Sequence, residues 1–114
     1  MVYEASKELA DKVYEAIEVA KATGKIRKGT NEATKVIEKG LAKFVAIAKD
    51  VNPPEITMHI PLLAEEKGVP CVQVPSKEEL GTVAGLDVPT GSVAIVQEGE
   101  AKGIIKDILD KIKK

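Results

Sequence analysis

The sequence predicts an α/β chain, a three-layer αβα sandwich built around a central four-stranded mixed sheet. Segments with helical and with strand patterning follow one another in the order helix, strand, helix, strand, helix, strand, helix, strand, helix. The run Phe44-Val45-Ala46-Ile47-Ala48 is apolar without alternation, the pattern of a strand covered on both faces, so it requires helices on either side. A chain of 114 residues can enclose one core but not two independent ones, which predicts a single domain over residues 1–114.

From Ser6 to Ala22, Leu9, Val13, Ala16, Ile17 and Ala20 recur at helical spacing among Glu and Lys, giving an amphipathic first helix that Gly24 ends. The short stretch Lys25 to Lys28 leads to Gly29-Thr30-Asn31, where Thr30 or Asn31 can cap a second helix running to about Lys39, with Gly40 beyond it. Its core stripe is Ala33, Val36 and Ile37, so Asn31, Glu32 and Lys35 point away from the core at the helix's N-terminal end. Unpaired backbone N–H groups there favour anions. After the apolar strand, Asp50-Val51-Asn52-Pro53-Pro54 breaks the chain, and Pro54 suits the first turn of a third helix with the stripe Ile56, Ile60, Leu63 and Ala64. Gly68 closes that helix, and Val69 to Val74 reads as the next strand. Ser76 caps a short helix through Val83, Gly85 to Gly91 is a loop, and Ser92 to Gln97 is a strand. The last helix carries Ile104, Ile105, Ile108, Leu109 and Ile112.

Composition narrows the function. The chain has one Phe, two Tyr and no Trp, which argues against an aromatic base-stacking surface and makes the core aliphatic. Its net charge is −1, yet between Lys21 and Lys49 eight bases face two acids, a local excess of six positive charges that leaves the remainder at minus seven. Such a division can present a basic face to a polyanion while the rest of the surface stays acidic. A lone cysteine, Cys71, allows no internal disulfide and fits a reducing compartment. The N-terminus offers no apolar leader and no stretch approaches a membrane span, so the expected location is the cytoplasm.

No catalytic constellation is legible. His59 has no second His or Cys at ligand spacing, and a packed or hydrogen-bonded structural histidine is the expectation; no metal site and no cofactor are expected. Glu65-Glu66 and Glu78-Glu79 read as solvated helix faces, and Gly81, Gly85 and Gly91 lack the spacing of a phosphate-binding loop. Leu86-Asp87-Val88-Pro89 is an apolar loop where a polar one is usual, so it covers either a ligand or the core.

The segments Lys28-Gly29-Thr30-Asn31-Glu32-Ala33-Thr34-Lys35 and Glu38-Lys39-Gly40-Leu41-Ala42-Lys43 closely resemble the signature of the archaeal L-seven-A-e ribosomal protein family, relatives of which include the eukaryotic-type L-thirty-e ribosomal protein. The resemblance continues through Ile47 to Glu55, His59 to Leu63, Glu65 to Pro70, Ser76 to Gly81 and Ser92 to Ile95, covering roughly residues 20 to 99 in register. It implies a structural protein, not an enzyme, that recognises and stabilises kink-turn RNA at tandem sheared G·A pairs. By resemblance Asn31, Glu32 and Lys35 contact base edges, Arg27, Lys28, Lys39 and Lys43 serve the phosphates, Gly29 and Thr30 complete the helix tip, and Leu86, Asp87, Val88 and Pro89 pack on flipped-out nucleotides of the bulge.

The chemistry agrees with that assignment. Regular A-form RNA hides its base edges, so a protein reads sequence where the helix is distorted. There Lys donates to guanine O6 and N7, Asn both donates and accepts, and Glu accepts from guanine amino or imino groups. The resemblance further implies ribosomal RNA of the large subunit and box C/D and H/ACA guide RNAs as partners, with ribonuclease P RNA a further candidate. A scaffold protein and a fibrillarin-type methyltransferase would join the assembled methylation particle, and the free protein would be a monomer. Thr90-Gly91 falls where family members vary and bears on bulge preference; Cys71 stands where many relatives carry an aromatic residue. Two other readings carry different expectations. A relative of the same fold binding a different RNA or a protein would not use Asn31, Glu32 and Lys35, and a small αβα enzyme would need a polar-lined pocket.

Overall fold

The computed structural model describes residues 3–50 and 55–112. Its strands are β1 (Tyr3–Glu4), β2 (Lys25–Lys28), β3 (Phe44–Ala48), β4 (Cys71–Val74) and β5 (Ser92–Gln97). Its helices are α1 (Lys7–Thr23), α2 (Thr30–Glu38), α3 (Glu55–Lys67), α4 (Lys77–Val83) and α5 (Lys102–Ile112), the last entered through a 3-10 turn at Gly99–Ala101. The strands form one sheet in the order β1-β4-β3-β5-β2. β3 and β4 are parallel, and β5 runs antiparallel to both β3 and β2. The mixed four-stranded sheet expected from the sequence is present. Tyr3–Glu4 adds a two-residue edge strand beside β4, parallel to it, that two residues of sequence could not reveal.

Alternation along the strands sorts the core into two layers. Phe44, Ala46 and Ala48 of β3 share one face with Val72, Val74, Val93 and Ile95, and there they pack on α1, α4 and α5. Val45 and Ile47 point the other way, with Cys71 and Ala94, onto Ala33, Val36 and Ile37 of α2 and Ile60 and Ala64 of α3. Every residue of β3 is buried, as a strand sandwiched between helices must be. Across α1 and α5 the first layer is closed at its rim by an ion pair, Lys12 to Asp107. The hydrogen bond of that pair raises the Lys12 pKa and lowers that of Asp107.

Two boundaries differ from expectation. The strand expected from Val69 begins at Cys71, because the Val69 N–H is used on Ala64 O to close α3 and Pro70 has no N–H to give. α2 begins at Thr30, with Gly29 in the cap position and no side-chain cap, where Thr30 or Asn31 was expected to cap. The final helix is preceded by the 3-10 turn. The chain break at Val51 to Pro54 and the side chain of Ile56 lie outside the described residues. By contrast Ser76 caps α4 as expected, accepting from Glu79 N at 3.2 Å.

Burial pushes the Cys71 thiol up to about 12. A folded-state pKa raised above the unfolded one contributes stability below the unfolded pKa, and that contribution is lost as pH rises from about 9 towards 12. Two outcomes are therefore expected. A disulfide thiol reagent at pH 8 leaves the folded protein unlabelled and labels it in denaturant. Urea titrations between pH 8 and 11 show a steeper alkaline loss of stability in the wild type than in Cys71→Ala; equal slopes would show that the thiol is not desolvated.

Candidate nucleic-acid interface

β3 and β4 end, β2 ends and β5 begins at the same edge of the molecule, so the segments that follow or precede them are gathered there. The first is the turn from β2 into α2. Gly29 adopts φ 92° and ψ 156°, a conformation essentially confined to glycine. There is open space where a Cβ would stand, so the constraint is in the backbone alone. Gly29 N–H donates to Ser92 O at 2.8 Å, continuing the β2–β5 ladder by one step, while Gly29 O accepts the first intrahelical bond from Ala33 N at 3.0 Å. The N–H groups of Thr30, Asn31 and Glu32 precede that bond and have no partner within the helix.

α2 buries Ala33, Val36 and Ile37, and Asn31, Glu32 and Lys35 are exposed on the opposite side. Glu32 and Lys35 form an ion pair at 3.5 Å with both side chains half exposed or more, so water screens it and it stays open to exchange for another partner. Arg27 pairs with Ala94, which faces α2 and α3, and Lys28 with Val93, which faces the other layer. The two cations therefore flank the turn from both faces of the sheet, and both are exposed. Lys39 does not join them. It caps the far end of α2, eight residues and about 12 Å along the axis from Asn31. Lys43 precedes β3 at the opposite end of the sheet, where its N–H bonds Ile95 O.

The second segment is the loop between α4 and β5. Its backbone lies against α4: a Cβ on Gly81 would meet Val88 O at 2.3 Å and Pro89 Cα at 3.1 Å. Leu86 N–H donates to Gly81 O at 2.9 Å, and Thr90 N–H to Lys77 O at 3.1 Å. With the backbone held inward, Asp87, Val88 and Pro89 turn outward; Val88 is 62% exposed and Leu86 is half-buried. The loop thus covers no core of its own. Between it and α4 runs a cleft of about 390 Å³ lined by Glu78, Thr82, Leu86, Asp87, Val88 and Pro89.

α4 itself is held from two sides. Tyr14 of α1 accepts from Ser76 N at 3.2 Å, and Asp50 accepts from Lys77 N at 2.8 Å. Lys21, which the sequence placed in the basic block without a role, lies over Gly85 at the start of the loop, its ammonium 3.3 Å from where a Cβ would stand. Only the tertiary packing of α1 brings it there. His59 is hydrogen-bonded to Thr34 at 2.9 Å. Thr34 already spends its one hydroxyl proton on Thr30 O at 2.7 Å, so the His59 Nε2 is the donor and the ring ties α3 to α2. No group of three or more His, Cys, Asp and Glu able to hold a metal ion occurs among the described residues.

An exposed helical Gly→Ala change ordinarily stabilises by about 0.5–1 kcal/mol. Gly81→Ala is expected to do the reverse, because its Cβ must displace the Val88 carbonyl. Calorimetry should show a lowered Tm, and hydrogen exchange a loss of protection at the Leu86 amide; a raised Tm with Leu86 still protected would show that the loop does not rest on α4.

Residues 11–105 match the model of the family described as "Ribosomal protein L7Ae/L30e/S12e/Gadd45 family". Among solved structures, the chain is similar to the Giardia lamblia 15.5kD RNA binding protein, with a TM-score of 0.90 and 34% sequence identity over 96% of this chain and 91% of that one. With its αβα layers, its family match and a solved relative of that likeness, the chain belongs to the L7Ae/L30e/S12e/Gadd45 family of ribosomal proteins and their relatives.

Proposed function

We propose that this protein binds kink-turn RNA and stabilises the kinked form, without a catalytic step of its own. The observation that carries the reading is the side-by-side display of two different contact chemistries at one edge of the sheet. The tip of α2 offers Asn31, Glu32 and Lys35 with unpaired backbone donors, and the loop offers exposed Val88 and Pro89 beside half-buried Leu86. A polar tip suits base edges in a widened groove, and an apolar loop suits unstacked nucleotides that present faces instead of edges. Glu32 is the discriminating member of the set: a carboxylate repels phosphate but accepts from the donor groups of a base, so at the α2 tip it favours base edges over backbone. Arg27 and Lys28 would supply phosphate contacts, and Lys39 and Lys43 would reach phosphates only on an RNA that extends along α2.

On this reading the RNAs served are those of the large ribosomal subunit and of box C/D and H/ACA guide particles, with ribonuclease P RNA a further candidate. In the methylation particle a scaffold protein and a fibrillarin-type methyltransferase would dock on the assembled complex and carry the chemistry. The protein would work in the cytoplasm as a monomer until it meets RNA.

The test is a gel-shift titration at fixed salt against a consensus kink-turn and a control whose sheared G·A pairs are replaced by Watson–Crick pairs. Wild type should bind the kink-turn alone, and Glu32→Ala should weaken that binding roughly 5- to 150-fold, the range for losing one base-specific contact. Lys28→Ala should instead lower affinity for both RNAs and reduce the slope against salt by about one phosphate's share. Equal binding of the two RNAs by wild type would withdraw the kink-turn reading and leave a basic face that binds RNA without choice.

A further inference from the structure

The two halves of the interface come from segments more than fifty positions apart in the chain, and they converge on one residue, Ser92. Its carbonyl accepts from Gly29 N–H at 2.8 Å and from Thr90 Oγ1 at 3.2 Å. Its hydroxyl lies 3.1 Å from Thr30 Oγ1. Ser92 is fully buried and Thr90 nearly so, whereas Thr30 is half-buried. One residue at the start of β5 thus holds the cap and first residue of α2 through two bonds and the last residues of the loop through a third. Buried hydroxyls bonded in this way act as a network in a low-dielectric setting, where geometry is held closely. A loop end is ordinarily mobile; here Thr90 is fixed to the strand and to α4 together.

We infer that Ser92 is a positioning residue for RNA recognition: it sets the spacing between the α2 tip and the loop, so that an RNA engaging both meets a preorganised pair. The inference rests on the RNA-binding reading above. Ser92 touches no RNA itself. Its hydroxyl fixes the α2 side of the pair and its carbonyl, through Thr90, fixes the loop side.

A double-mutant cycle separates positioning from mere support of the fold. Ser92→Ala removes the bond to Thr30 and should lower affinity for a kink-turn RNA roughly three- to tenfold, the range for one such hydrogen bond. In a Val88→Ala background, where the loop's exposed apolar contact is already gone, the same change should cost less than about twofold, because there is little left to position. A parallel pair, Thr90→Val against Thr90→Ser, repeats the cycle from the loop side and serves if Ser92→Ala does not fold. Thr90→Ser keeps the hydroxyl and should keep affinity, while Thr90→Val should lose it. Equal losses for Ser92→Ala in both backgrounds, or equal affinities for the two Thr90 variants, would overturn the inference. The cycle is read on whichever RNA wild type binds. Failure of the kink-turn reading appears in the wild-type preference between RNAs, and failure of this one only in the additivity of the variants.

Discussion

The conformation of Gly29 is the constraint on which the interface depends. At φ 92° it turns the chain from edge strand into helix within a single residue, with its N–H still in the sheet and its carbonyl already in the helix. A residue with a Cβ would be strained there by about 1–3 kcal/mol. Because the turn is that tight, the helix starts at the sheet edge and its open N–H groups face outward beside the loop. The absence of a side-chain cap has the same effect, since a Ser or Asp at the cap would occupy donors that are left available to a ligand.

On the proposed reading, electrostatics would give the surface its selectivity. A net charge of −1 would suggest indifference to RNA, but Arg27 and Lys28 flank the α2 turn and Lys21 lies over Gly85 at the start of the loop. The Glu32–Lys35 pair in their midst is half exposed and worth only a few tenths of a kcal/mol as a helix contact. Breaking it would therefore cost little, which leaves both side chains open to the contacts proposed for them. A buried pair at this place would have been rigid and silent.

Much of this was legible in sequence. β3 was readable from its unbroken apolar run, β5 to the residue, and α4 from Ser76, because each of these signals is local. The outward face of α2 followed from the spacing of Ala33, Val36 and Ile37. What sequence could not show is long-range. The cap moved from Thr30 or Asn31 to Gly29 because Gly29 N–H finds Ser92, and Thr30 then finds Ser92 as well. The loop was open to two readings, and its packing against α4 at Gly81, which leaves Val88 exposed, speaks against the one in which it folds onto the core. Lys21 looked like one cation among eight until α1 was laid across α4. β1 carries no pattern of its own, and its pairing with β4 makes it a strand.

In the proposed complex the α2 tip and the α4–β5 loop form one RNA-contacting face. Amide chemical-shift mapping during titration with a kink-turn RNA tests it most directly, since every described segment reports at once. The largest changes are expected at Arg27 to Lys35 and at Gly85 to Ser92, with α5 and the outer side of α1 nearly unmoved. Largest changes along α1 and α5, with the α2 tip silent, would contradict it.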